Sequence, residues 1–407
     1  MLKRTLENKI LEILLDYQKM VFVSGPRQSG KTTLAHLIQK NFQQSYYFNW
    51  DNLDDQKKIT RDPYFFSDFD RNFKLPILII FDEIHKYPKW KNYLKGVYDK
   101  YHQEFSFIVT GSCRLDIFQK GGDSLFGRYF PIPCFPLTLG ELAGKFTTFQ
   151  TFKDNCADPP ESSSEIEANY QHLFDFSGFP EPLLRAEKNF YNIWELERKK
   201  LLVREDIRDT TNIRQLALLE LLTQILPNKI GSLLSINSLR EDLGVSFETV
   251  RDWLEILKQF YYLFAVHPYQ TSNMKRLLKK EAKIYLYNWV EIEDEAIRFE
   301  NLVALHLFKA VKIWQAIGEG NIELNYIRNK EQKEVDFIIS ENNKPLFLIE
   351  CKSQIENFDK NLLYFQQKLN IPTAVQLINK SGVCRKQKTE VGSAYLISAD
   401  RWLSLLL

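Results

Sequence analysis

Leu6, Ile10, Ile13, Leu14 and Tyr17 recur at the spacing of one helix face. Glu7 and Glu12 interrupt that run, so it predicts a packed amphipathic helix rather than a secretory leader. The pattern then alternates. Residues 20–24 form a short apolar run, 32–42 have helical spacing, and 46–49 and 77–81 are strand-like again. Residues 93–101 read as helix and 105–110 as a further strand. Apolar strands separated by helices predict a parallel sheet covered on both faces, an α/β fold over residues 1–150. Residues 153–167 (KDNCADPPESSSEIE) break the pattern with prolines, serines and acids, and predict a mobile linker over 151–169.

Beyond it, 170–226 is helical in pattern. Residues 238–243 predict a short helix, 244–246 a turn, 247–260 a longer helix, and 261–268 and 282–287 two strands. Helix, turn, helix and β-ribbon is a winged-helix layout, which closes a helical region at 170–290. Residues 291–407 open on a helix and continue as a separate α/β domain.

A length of 407 residues accommodates these several domains. Lys and Arg number 54 and Asp and Glu 52, a net charge of +2. Global charge therefore makes no case for nucleic acid or membrane, and any basic surface must be local. The five cysteines form no CxxC pair, which argues against a disulfide framework or zinc ribbon and fits a reducing, cytoplasmic setting. The apolar run at 75–81 is far shorter than the ~20 residues of a spanning helix, so no membrane partner is expected.

Gly25-Pro26-Arg27-Gln28-Ser29-Gly30-Lys31-Thr32 matches G-x-x-x-x-G-K-[ST], after an apolar strand and at the start of a helix. Glycines let the backbone fold around phosphate oxygens, and the helix N-terminus favours anions. These residues and the adjoining Thr33 are the expected ATP-binding loop, with Lys31 reaching the β- and γ-phosphates and Thr32 ligating Mg²⁺. Four apolar residues place Asp82 at the end of a buried strand, where it can hold Mg²⁺ through water. Glu83 follows it and can orient or deprotonate the attacking water. At the end of the 105–110 strand, Thr110 and Ser112 both qualify to contact the γ-phosphate or the water, with Ser112 carried forward as a nucleotide contact. Either can also simply cap a turn. Arg128 is an arginine-finger candidate, a role that a neighbouring subunit of a homo-oligomer could also supply, or else an ordinary surface arginine.

GPRQSGKTT, IIFDEIHKYPKW, IVTGS, SLFGRYF and the PLTLGEL segment at Pro136 together resemble one prokaryotic family. Its members are AAA-type P-loop ATPases with a C-terminal domain of unknown function of PD-(D/E)xK nuclease-like fold. The resemblance continues through Ser177-Gly-Phe-Pro-Glu181 and the winged-helix stretch to the final strands. It implies ATP binding, hydrolysis and a nucleic-acid or defence-related setting. Asn288 departs from it, since similar proteins often carry Asp there.

Near the C-terminus, Glu334-Val-Asp336-Phe-Ile-Ile and Leu346-Phe-Leu-Ile-Glu350-Cys-Lys352 flank residues 341–345. Treated as a hairpin with a five-residue loop, Asp336 faces Glu350 and Glu334 faces Lys352. All four then share one face, while Val335, Phe337, Ile339, Phe347, Ile349 and Cys351 share the apolar one. Facing carboxylates destabilise a sheet, so the pair requires a cation, and Mg²⁺ is a suitable one. Lys352 can orient a metal-bound water or stabilise charge on phosphate. Asp336, Glu350 and Lys352 resemble the PD-(D/E)xK motif position by position. Glu300, on the preceding helix, would complete the metal site as in related nucleases.

The 247–260 helix mixes Arg251 with Glu248, Asp252 and Glu255, which suits a DNA backbone poorly. Residues 275–283 (KRLLKKEAK) carry five basic residues against one acid and could touch phosphates from the wing, or lie as a solvated loop. The leading reading is an ATPase whose N-terminal domain controls a metal-dependent nuclease-like domain acting on nucleic acid, DNA foremost. The alternative is a nucleotide-gated module that binds nucleic acid or an unknown protein partner without cutting.

Overall fold

The computed structural model describes residues 4–69, 76–113, 125–208, 211, 213, 215–270, 282–354 and 357–407. Strands β1 (Met20–Ser24), β2 (Ser45–Asn49), β3 (Ile77–Asp82), β4 (Phe105–Gly111) and β5 (Tyr129–Pro133) form a parallel sheet in the order β2-β3-β4-β1-β5. Strands β3 and β4 are buried along their whole length, as apolar runs flanked by helices require. The helix Lys31–Gln39 leaves the end of β1 through the glycine loop, and Trp90–Tyr101 precedes β4. The helix Glu7–Leu15 buries Ile10, Ile13 and Leu14, the face its periodicity marks. This is an α/β P-loop fold. Strand β5 was not expected from the sequence because Pro131 and Pro133 lie within it. At a sheet edge those prolines forfeit no interior ladder bond.

The segment expected to be a mobile linker is largely ordered by packing. Phe149–Asn155 and Ser164–Phe176 are helices. Phe149, Phe152 and Cys156 are buried, with Phe152 between Trp314 and Trp402. The Trp402 Nε1–H donates to the Cys156 carbonyl (3.0 Å) and Arg401 Nε–H to that of Pro159 (2.7 Å). Aromatic residues at helical spacing outweighed the proline and serine signal.

The helical region comprises Pro180–Arg185, Lys188–Leu201, a π-turn at Leu202–Ile207, Leu216–Ile225, Ile236–Leu243 and Phe247–Gln259. Strands β6 (Leu263–Pro268) and β7 (Lys283–Leu286) follow as an antiparallel pair. They do not stand free as a wing. β6 also pairs with β8 (Ile322–Arg328), and both enter an eight-stranded sheet with β9 (Glu334–Glu341), β10 (Lys344–Lys352), β11 (Thr373–Ile378), β12 (Cys384–Lys388) and β13 (Ser393–Ser398). Its order is β12-β13-β11-β10-β9-β8-β6-β7. The five-residue hairpin loop is also corrected. Asn342 and Asn343, both at positive φ, make a two-residue turn, and a bulge between Pro345 and Phe347 restores the register that pairs Ile349 with Phe337.

The long helix Glu295–Ala316 touches β5 of the first sheet and β7, β8 and β10 of the second. A buried ionic group ties it to the glycine loop. Arg4 pairs with Glu141 (3.2 Å), Glu141 pairs with Lys309 of the long helix, and Arg4 donates to the carbonyl of Ser29. Burial pulls the Lys309 ammonium down to about 8, against the opposing pull of Glu141. Among the described residues no helix is long and apolar enough to cross a membrane.

Candidate nucleotide site and carboxylate–lysine cluster

The loop after β1 is shaped by two glycines. A Cβ on Gly25 would stand 2.1 Å from the carbonyl oxygen of Cys134, so only glycine fits. Gly30 begins the Lys31–Gln39 helix at φ +92°, a left-handed position. Lys31 is buried and its ammonium donates to the carbonyls of Gly25 (3.1 Å) and Pro26 (2.8 Å), so it lies folded over the loop. Ser29 is fully buried, and its hydroxyl has no hydrogen-bond partner. Thr32 and Thr33 are exposed in the first turn. Gln28 is left-handed at φ +64°.

Because β4 lies between β1 and β3, its end faces both the loop and the acidic pair. The Thr32 hydroxyl donates to Asp82 Oδ2 (2.9 Å), the Thr110 hydroxyl to Asp82 Oδ1, and the Tyr47 hydroxyl to Asp82 Oδ2. Glu83 adopts φ +54°, a left-handed conformation that costs a non-glycine residue about 1–3 kcal/mol and is typical of functional sites. Ser112 Oγ–H donates to Glu83 Oε2 (3.1 Å), and buried His85 lies 3.6 Å away with its basicity lowered by burial. The choice between Thr110 and Ser112 dissolves, since each holds one of the two acids. A hydroxyl and a carboxylate in contact form a hard oxygen set that suits Mg²⁺ beside phosphate. The orphaned Ser29 hydroxyl suits an anionic ligand in the loop.

Arg27 pairs with Asp206 (2.9 Å) and Glu205 (3.1 Å) in the π-turn. Asp206 is buried, and its carboxyl is pushed up to about 6 by burial, with Arg27 opposing and Glu83 adding to the rise. Nothing in its sequence context, an ordinary charged helical run, marked it. Arg128 stands at the other end of the sheet. Met20, the first residue of β1, pairs with Tyr129, so Arg128 is roughly 13 Å or more from the loop at ~3.3 Å per residue. It forms a two-point ion pair with Asp99 (2.6 and 3.0 Å) and does not reach its own chain's phosphate site.

The second cluster lies around Glu300, Glu334, Asp336, Glu350 and Lys352, though Glu334 pairs with Lys283 and Arg328 rather than with Lys352. Glu350 Oε2 accepts the backbone N–H of Asp336 (3.2 Å), and Asp336 Oδ2 accepts that of Cys351 (3.0 Å). Lys352 pairs with Glu350 (2.8 Å) and Asp359 (3.1 Å). Tyr285 OH donates to Glu300 (2.7 Å). Lys283 enters the same cluster. Its ammonium lies 2.7 Å from Glu334, 3.2 Å from Asp336 and 3.3 Å from Glu300, with its side chain only 4% exposed. This corrects the reading of 275–283 as a phosphate-facing tail. Residues 275–281 lie outside the described residues, while Lys283 is buried against acids. The carboxyl of Glu300 is pushed up to about 7 by burial and Asp336, and burial raises that of Glu350 well above the usual range. Burial lowers the Lys283 ammonium but its three carboxylates outweigh that, so it is held protonated.

The cation that the facing carboxylates require is therefore present as an ammonium. Oxygens of Asp336 and Glu300 that were assigned to Mg²⁺ are shared with Lys283. Among the described residues no group of three or more His, Cys, Asp or Glu is arranged to hold a metal ion. The residues of this cluster do not fit Mg²⁺ in this arrangement. Asn288 is buried and donates to Tyr191 OH (2.9 Å) and Glu291 (3.0 Å).

Sheet order, glycine loop and acidic pair define a P-loop ATPase domain. More particularly, the chain is similar to an AAA domain in its N-terminal part and to domains of unknown function in the rest. Residues 17–143 match the AAA domain family, 167–289 a domain of unknown function (DUF8612), and 297–396 another (DUF4143). An uncharacterized protein of Methanocaldococcus jannaschii is 24% identical over 295 residues, which span 66% of this chain and 60% of that protein. Among solved structures, a Walker-type ATPase of Pyrococcus abyssi shares 13% identity over 72% of this chain and 95% of its own, with a TM-score of 0.43. The Bacillus subtilis DNA clamp loader delta protein shares 11% identity over 76% of this chain and 99% of its own, with a TM-score of 0.27.

Proposed function

We propose that this protein binds and hydrolyses ATP, and that its nucleotide state controls the carboxylate–lysine cluster of the C-terminal domain. The observation that carries the first part is the contact of Thr32, Thr110 and Tyr47 with Asp82 beside a Glu83 held by Ser112. Lys31 shifts from loop carbonyls to the β- and γ-phosphates on binding. Thr32 and Asp82 hold Mg²⁺, which when bound offsets phosphate charge. Glu83 orients the attacking water and takes its proton. Control of the second cluster follows the ionic path from Ser29 through Arg4 and Glu141 to Lys309, whose helix also bears Glu300. That path is a continuous set of buried contacts, which supports this reading of the coupling.

In this reading the second cluster is a PD-(D/E)xK nuclease-like site acting on nucleic acid, DNA foremost, in the cytoplasm. Asp336 and Glu350 present carboxylate oxygens, and Lys352 offsets charge on the phosphate. The alternative, binding without cleavage, is favoured by the Lys283 ammonium among those oxygens. Incubation of the purified protein with labelled DNA and RNA, with and without ATP and Mg²⁺, decides between them. Shortened product that depends on both ATP and Mg²⁺ supports the nuclease, whereas retarded but intact nucleic acid supports the binding module.

A further inference from the structure

Lys283 is placed more specifically than a structural ion pair requires. Its ammonium is shared by Glu300, Glu334 and Asp336, carried respectively by the long helix and strand β9. Two of these, Glu300 and Asp336, are carboxylates that the sequence pattern and the family resemblance assign to a divalent ion. The lysine of the Glu350-x-Lys352 pair is separately engaged by Glu350 and Asp359, so the two lysines share no ion-pair partner. Mg²⁺ demands oxygen ligands at about 2.0–2.1 Å in a near-octahedral shell. An ammonium and a divalent ion cannot use the same oxygens together, because like charges at that separation repel strongly.

β7 pairs with β6 along its length, and Lys283 also forms an isolated antiparallel bridge with Leu233. β7 is also pinned to the long helix. Asn301 both accepts from the Leu286 N–H (2.8 Å) and donates to the Leu286 carbonyl (2.8 Å), and Tyr285 on the same face as Lys283 donates to Glu300.

We propose that Lys283 is an internal cation standing in place of the divalent ion, so that the cluster is closed to metal in this arrangement. This rests on the nuclease-like reading of the cluster and says what keeps metal out of it. Metal and the Lys283 ammonium are alternative occupants of the same carboxylates.

The test is Mn²⁺ binding to the full chain by calorimetry, without nucleotide. Lys283→Gln is expected to gain at least about tenfold in Mn²⁺ affinity over the wild type, equivalent to about 1.4 kcal/mol. Adding Asp336→Asn should remove that gain. Lys283→Gln/Glu334→Gln preserves the charge balance of the cluster and keeps Glu300, Asp336 and Glu350, so it serves where the single variant fails to fold. Equal Mn²⁺ affinity in the wild type and both Lys283 variants overturns the proposal, and so does an absence of Mn²⁺ binding in every Lys283 variant. Nucleic-acid cleavage is read separately on the same proteins. A Lys283 variant that gains Mn²⁺ but cuts neither DNA nor RNA upholds the internal cation and refutes the nuclease.

Discussion

Replacing Asp206 with asparagine keeps the side-chain shape and removes a charge that burial disfavours. The Asp206 carboxyl is pushed from 3.8 to about 6, with burial as the leading cause and Arg27 only partly offsetting it. A raised folded-state value means that stability is fully present below the unfolded value and is lost as pH rises through the folded one. At about 1.4 kcal/mol per unit, ionised Asp206 costs the fold about 3 kcal/mol near pH 7.5 and roughly half that near pH 5. Asp206→Asn should therefore stabilise the protein near pH 7.5 and do so much less near pH 5. Arg27, about a third exposed, keeps water and Glu205 as partners in the variant. Urea unfolding of both proteins at the two pH values, followed by tryptophan fluorescence, reads the difference. An Asp206→Asn protein that is less stable near pH 7.5, or whose advantage is the same at both pH values, refutes the reasoning.

Glu141→Gln leaves Arg4 and Lys309, whose side chains are 6% and 1% exposed, without their shared counter-charge. It should lose about 3–5 kcal/mol, and an unchanged melting temperature would contradict a charged network there. If Arg128 acts in trans, ATP turnover per subunit should rise with protein concentration, and mixing Arg128→Ala with Lys31→Ala subunits should restore hydrolysis at shared interfaces. A constant specific activity with no rescue marks Arg128 as an ordinary partner of Asp99. Gly25→Ala should fold poorly or lose ATP binding, because its Cβ meets the backbone of Cys134 rather than a side chain that can move. Normal nucleotide affinity in that variant would show that the loop backbone can shift.

The glycine loop and the acidic strand end were legible because their chemistry is local. Lys31, Thr32 and Asp82 sit in short motifs that a strand and a helix must bracket. The Asp336, Glu350 and Lys352 face was legible through period-two alternation, and survived a wrong turn because the bulge after Pro345 restores the assumed pairing. What the sequence concealed is tertiary. Asp206 lies 179 positions from Arg27, and Lys283 lies 53 from Asp336, so neither contact leaves a local pattern. One signal for Lys283 was available. It and Tyr285 alternate with apolar Ile284 and Leu286, which points both polar groups to one side of a buried strand. The run of bases before it drew the residue into a solvated tail instead. Likewise the prolines and serines of 153–167 outvoted the aromatic spacing of Phe149 and Phe152, which the packing against Trp314 and Trp402 rewards.

The central claim is that Glu83 acts on water at a site where Lys31 holds phosphate. The direct measurement is ATP affinity and steady-state phosphate release for the wild type, Lys31→Ala and Glu83→Gln side by side. The account predicts that Lys31→Ala loses tight ATP binding, whereas Glu83→Gln binds ATP with wild-type affinity and releases phosphate at least about a hundredfold more slowly. Wild-type phosphate release by Glu83→Gln, or undiminished ATP affinity in Lys31→Ala, would contradict it.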